Sequence, residues 1–166
     1  MRREREAALP SIDILVESAL WNGKPEYPAI LRQAIATAAC EASSKPAELA
    51  IVLTDDSAIR ALNRKWRGRD EPTNVLSFPA GSAGGATDQV AHLGDIVIAY
   101  ETSAREASCE GKPFAQHLAH LAVHGYLHLL GFDHETDAQA VVMERLEAEI
   151  LSQLGVANPY ADAAEA

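Results

Sequence analysis

Residues 117–134 read HLAHLAVHGYLHLLGFDH, and five of the six histidines in the chain fall inside this stretch. At about 100° per residue, His117, His120, His124 and His128 share one stripe of a helix, roughly 80° wide. The remaining positions are mostly Leu, Ala and Val, so this helix is apolar nearly all round and is expected to be deeply buried. Imidazoles in such surroundings need partners for their nitrogens. A shared cation satisfies several of them at once.

The spacing sharpens that reading. His124 and His128 stand at i and i+4, on one side of the helix, and Gly131 offers a left-handed residue that ends the helix and turns the chain back. His134 then returns to the same point. The pattern HxxxHxxGxxH resembles the HExxHxxGxxH of metzincin zinc proteases. Three neutral nitrogens with no thiolate predict one zinc ion per chain, held by His124, His128 and His134. A fourth coordination position stays open, as catalytic zinc sites require. Where metzincins carry their glutamate base, this chain has Gly125, so a peptidase mechanism lacks its proton acceptor. His117 and His120 precede the ligands by one to two turns and fit a cleft wall, a support for the ligands or the core. His92 is expected in a loop, solvated.

Outward from this helix, residues 11–17 (SIDILVE) and 48–54 (ELAIVLT) read as strands. Residues 28–42 repeat Ile30, Ala34, Ile35 and Ala38 at helical spacing. Asp55 or Asp56 caps a helix running through Arg67. NVLSF, closed by Pro79, and LGDIVIA at 93–99 are two further strands, and the Gly/Ala/Ser-rich stretch between them is expected to be a mobile surface loop. A helix is compatible with 101–111. Pro113 opens the histidine helix, Phe114 to Leu130. Thr136-Asp137-Ala138-Gln139 matches a capping box ahead of a last helix with Met143, Leu146, Ile150 and Leu154 as its core stripe, stopped by Gly155. The fold class is therefore α+β, one domain over 11–160. It has a mixed sheet of about four strands packed by about five helices, one of them a metzincin-like metal-site helix. Residues 1–10 form a charged, flexible N-terminus.

A chain of 166 residues, 48% apolar, suits one core and one domain. The charged opening MRREREAALP lacks the apolar run of roughly 7–15 residues that a secretory signal needs. No stretch approaches the roughly 20 apolar residues of a membrane span, so a cytoplasmic protein without membrane contact is expected. Cys40 and Cys109 have no CxxC or Cys/His neighbours and are expected to be inert core thiols. The net charge of −10 argues against binding phosphate backbones broadly. Yet five of the 14 Lys and Arg residues (Arg60, Arg64, Lys65, Arg67 and Arg69) fall within ten positions, so one basic patch is available.

HGYLHLLGFDH at 124–134, RGRDEPTNVLSFP at 67–79 and LGDIVIA at 93–99 together resemble the YbeY family of bacterial rRNA-maturation endoribonucleases, across roughly residues 48–154. The resemblance implies a single-strand-specific, metal-dependent endoribonuclease that matures the 3′ end of small-subunit (16S) rRNA and serves ribosome quality control. Its partners would be single-stranded RNA, the small ribosomal subunit and assembly factors, with no DNA expected. The metal-binding histidines of that family fall on His124, His128 and His134, and its functional arginine on Arg67. Either Asp95 or Asp133 is available to orient a ligand imidazole. Two other readings stay open: a metallohydrolase of another substrate class, and a non-catalytic ribosome-assembly factor with a structural metal. The absent glutamate at 125 and the basic helix count against the first, and the open coordination position against the second.

Overall fold

The computed structural model describes residues 9–42, 45–80 and 91–160. Four strands form one mixed sheet in the order β1-β2-β4-β3: β1 Ser11–Val16, β2 Ala47–Thr54, β3 Val75–Pro79 and β4 Ala91–Ala99. β1, β2 and β4 run parallel, and β3 pairs antiparallel with β4. Five α-helices accompany them: α1 Glu26–Glu41, α2 Asp56–Arg67, α3 Tyr100–Cys109, α4 Phe114–Leu129 and α5 Asp137–Gln153. This is the α+β single domain expected from the hydrophobic pattern.

Alternation along the strands decides where the helices go. Leu49, Ile51, Leu53, Ile96 and Ile98 point to one face, where α1, α4 and α5 build the main core. Val52 and Val97 point to the other, where Ile59 and Leu62 of α2 cover them together with Leu76. Leu118, Ala122, Val123 and Leu127 of α4 are fully buried, so the histidine helix lies at the centre of the main core as expected. It packs against β3, β4 and three helices.

Helix α1 begins two residues before the expected start, with Pro28 in its first turn, where the missing N–H would find no helical acceptor in any case. A short 3-10 turn, Ala19–Trp21, was not anticipated from sequence. It buries Trp21 among Tyr27, Tyr100 and Phe114 and sends the indole N–H to the Thr54 carbonyl at 2.8 Å. The two thiols correct an expectation. Cys40 and Cys109 are exposed rather than in the core, because both lie in the last turn of their helices, beyond the packed faces. His92 lies in β4, not in a loop, with its exposed ring 3.6 Å from the Glu48 carboxylate across the strand pair. The Gly/Ala/Ser-rich stretch at 81–90 and the charged N-terminus at 1–8 lie outside the described residues.

Two carboxylates pin α2 in place. Asp55 is the cap, accepting from Ala58 N–H at 2.9 Å. Asp56 accepts from the backbone N–H and the hydroxyl of Thr102, at 3.1 and 2.7 Å, while Glu101 accepts from Asp56 N–H at 2.8 Å. The starts of α2 and α3 are thereby tied reciprocally, which fixes the axis that carries Arg67. Asp56→Ala should cost about 1–3 kcal/mol in urea unfolding, since it strips several hydrogen bonds from a partly buried carboxylate.

Candidate metal centre

Helix α4 ends in a Schellman motif: Phe132 N–H bonds the Leu127 carbonyl at 3.0 Å and Gly131 N–H bonds the His128 carbonyl at 3.0 Å. Gly131 has φ +102°, in the left-handed region where side chains are disfavoured. This turn brings His134 back beside the helix. One nitrogen from each of His124, His128 and His134 lies within 4.8 Å of the others, so the trio could hold a metal ion. His124 and His128 are half-buried and His134 is exposed.

The hydrogen bonds around the rings set their tautomers. His128 Nδ1 stands 3.0 Å from the Phe132 carbonyl, which only accepts, so Nδ1 carries the proton. His124 Nδ1 stands 2.6 Å from the Glu147 carboxylate and is a donor for the same reason. In the neutral rings both Nε2 atoms are then lone pairs, and they face each other at 3.0 Å. Two acceptors at that distance repel unless a positive charge lies between or beside them. That donor set fits a divalent metal, with the outer nitrogens oriented by a carboxylate and a carbonyl in the usual manner of metal-binding histidines. Burial first, then neighbouring His124 and His134, lowers the His128 pKa, and the neutral, ligating form is favoured.

Glu147 is the residue that sequence reading missed. It has no solvent exposure although it sits on the apolar stripe of α5, one turn from Met143 and from Ile150. Its carboxylate meets His124 Nδ1, His120 Nε2 at 3.2 Å and the Tyr160 hydroxyl at 2.6 Å. Burial pushes its pKa up, but the hydrogen bonds from His120, His124 and Tyr160 outweigh burial and hold it down at about 2. Tyr160 is shifted the other way: burial and the adjoining Glu147 raise its hydroxyl well above the usual range, so it stays a donor.

Neither aspartate considered from sequence plays this part. Asp133 accepts from His134 N–H at 2.8 Å, and the Asp95 carboxylate makes no hydrogen bond among the described residues. His120 belongs to the site through Glu147. His117 is buried, with Nε2 2.9 Å from Glu106, and does not reach the ligand trio.

Gly125 also has a physical reason. Its missing Cβ would lie 2.9 Å from Ile96 Cγ2 and 3.2 Å from Ser77 Oγ, and Ser77 Oγ donates to the Gly125 carbonyl at 3.1 Å. The face that carries a glutamate in metzincins is here pressed on the sheet.

The three histidines open on a cleft of about 740 Å³, lined also by Trp66, Arg67, Ser77, Phe78, His120 and Tyr160. Arg67 is the last residue of α2, and Gly68, with φ +70°, caps that helix. Of the basic cluster, Arg60 is held by Asp70 in a two-pronged pair at 2.9 and 3.2 Å, and Arg69 lies 4.0 Å from Glu71. Arg67 has no hydrogen bond or ion pair among the described residues, so its guanidinium is free toward the cleft it lines.

Residues 18–155 match the family described as Endoribonuclease YbeY. The chain belongs to that family. It is 54% identical over 157 residues to the endoribonuclease YbeY of Rhodopseudomonas palustris strain BisA53, covering 92% of this chain and 91% of that protein. It is 50% identical over 162 residues to the YbeY of Bradyrhizobium sp. strain BTAi1, covering 95% and 96%. A Thermotoga maritima protein solved in solution shares the fold, with a TM-score of 0.54, 24% identity, and 86% and 91% of the two chains covered. The YbeY match reaches upstream of residue 48 and includes α1. Among the described residues, no helix is long and apolar enough to cross a membrane.

Two outcomes follow from this geometry. Gly125→Ala should lose about 1–3 kcal/mol in urea melts, because Ile96 in the closed core must give way. Glu147→Gln tests the carboxylate. Since its pKa is lowered from 4.5 to about 2, the stabilisation it provides is complete above about pH 4.5 and is lost as pH falls toward 2. Melts taken between pH 6 and pH 2.5 should therefore show a smaller acid-induced loss in the variant than in the native chain.

Proposed function

We propose that this chain is a zinc-dependent, single-strand-specific endoribonuclease that acts in maturing the 3′ end of small-subunit (16S) rRNA and in ribosome quality control. Residues 11–160 are its catalytic domain, the cytoplasm its compartment, and the small subunit with its assembly factors its partners. One observation carries the chemistry: two inward-facing imidazole Nε2 atoms, 3.0 Å apart, with His134 beside them on a cleft that Arg67 also lines. The relatives named above as endoribonucleases supply the substrate class.

His124, His128 and His134 would hold the metal, and three neutral nitrogens without a thiolate favour zinc among the divalent ions available. When bound there, zinc supplies Lewis acidity toward a phosphoryl oxygen and makes nearby water more acidic. Glu147 and the Phe132 carbonyl keep His124 and His128 in the tautomer that presents Nε2. Arg67 offers a planar fork of donors to the phosphate, and its charge matters most as negative charge accumulates there. Gly125 contributes no proton acceptor. Peptide hydrolysis by the metzincin route is thereby disfavoured.

The deciding experiment incubates zinc-loaded protein with single-stranded RNA, single-stranded DNA and casein, each beside His124→Ala. Cleavage of RNA alone, lost in the variant together with about one zinc per chain, is the expected result. Cleavage of casein, or RNA cleavage by the variant at the native rate, would overturn the reading. Arg67→Ala should lower the saturated cleavage rate on the order of 100-fold with little change in affinity. Arg64→Ala should instead weaken binding and reduce the log–log salt slope by about one. Zinc retention should fall as the medium is acidified, because protons compete with the metal for the imidazole nitrogens.

A further inference from the structure

Trp66 is the largest apolar side chain left open on this protein, 62% exposed. Its position does not explain that exposure. Ile59, Leu62, Asn63 and Trp66 follow one another at helical spacing, and the first three are buried or packed on the second face of the sheet. Trp66 continues the stripe past the covered surface and onto the wall of the cleft, next to Arg67. Leaving such a side chain in water forfeits roughly 1.5–3 kcal/mol of burial.

The ring is braced rather than loose. It meets Phe78 of β3 edge-on, with centroids 6.3 Å apart at 65°. Gly68 closes the helix two residues later, through hydrogen bonds to the Asn63 and Arg64 carbonyls. Lys65 Nζ stands 5.1 Å from the ring centroid, and Arg67 has no hydrogen bond or ion pair among the described residues. An exposed aromatic ring, the Arg67 guanidinium and a metal-competent trio therefore share one concavity, with Lys65 beside the ring.

We propose that Trp66 is a stacking platform for an unpaired base of the RNA, seating the nucleotide beside the phosphate that Arg67 engages. This rests on the RNA-cleaving reading above. Stacking on an aromatic ring requires a base that has left its helix, so the residue selects single strands over duplex without reading sequence. Lys65 adds a positive charge beside the ring, in a chain whose net charge is −10.

The test uses the zinc-loaded full chain and a ten-nucleotide single-stranded RNA, intact or with one central abasic position. Trp21 is 4% exposed, so quenching of tryptophan fluorescence on rapid mixing reports Trp66. Native protein should be quenched by the intact RNA. Trp66→Leu keeps an apolar side chain without a π-face; it should raise the dissociation constant and KM about 5- to 150-fold, with kcat falling far less. Trp66→Phe should recover most of that loss. The salt slope should match the native one, in contrast to Arg64→Ala, and the abasic RNA should bind native and Leu proteins alike. If native protein binds and cleaves RNA but Trp66→Leu is equally tight and the native fluorescence is unmoved, the stacking role is wrong. A Leu variant as good as Phe would also overturn it, marking plain apolar contact such as a protein partner makes. If native protein neither binds nor cleaves RNA, the endoribonuclease reading itself fails, which Trp66 variants that fold and bind zinc normally would leave unmistakable.

Discussion

Inside the main core, the Glu147 carboxylate takes hydrogen bonds from His124, His120 and Tyr160 with none of its surface in water. An isolated carboxylate there would cost several kcal/mol, a large share of the roughly 5–15 kcal/mol by which a domain is stable. The two imidazoles and the phenol are what make the charge tolerable, and in return the charge dictates how they point. Through it α4, α5 and the segment holding Tyr160 converge on one atom pair. The inward Nε2 of His124 follows from this arrangement, because its other nitrogen is already committed. His128 reaches the same state by a different route, through a carbonyl presented by the turn that ends its own helix.

That turn and the sheet behind α4 explain why the site differs from a peptidase with the same spacing. The histidines face the cleft, and the residue after His124 faces Ile96 and Ser77 at distances that leave no room for a Cβ. Close approach of helix and strand requires glycine. The position that would carry a base is therefore given to packing, and what the cleft offers instead is the guanidinium of Arg67 on its wall. Phosphate esters, whose transition states gather negative charge on oxygen, suit that replacement.

Local signals carried much of this. His124, His128, Gly131 and His134 were legible because one helical turn and one reversal connect them, and the capping box at Thr136 because its partners are three residues apart. The strands were legible from alternation, which is why only their ends moved. Glu147 was not, because its partner lies 23 residues away and nothing local marks a buried carboxylate. A signal existed nonetheless: a glutamate between Met143 and Ile150 on an apolar stripe either breaks the stripe or is held there by an unseen partner. Asp133 lies inside the motif and Asp95 on β4, whereas the carboxylate that meets His124 comes from α5. The thiols failed for a similar reason, since a residue type that prefers the interior says nothing about which turn of a helix leaves the core.

Charge behaves the same way. Counting Lys and Arg between 60 and 69 finds five, but Arg60 is committed to Asp70 and Arg69 lies near Glu71, so the cluster presents fewer free cations than it contains. What remains, Arg64, Lys65 and Arg67, occupies the last turn of α2, at the end nearest the histidines. Three cations on the C-terminal turn are favoured by the helix dipole, whose negative end lies there, so folding gains from the arrangement before any ligand arrives. The chain as a whole carries a net charge of −10, whereas the last turn of α2 is basic and its Arg67 lines the cleft. A small basic area on an acidic chain can neutralise only a few phosphates. For the proposed RNA substrate, base stacking would supply part of what charge does not, and stacking acts only on a base that has left its helix.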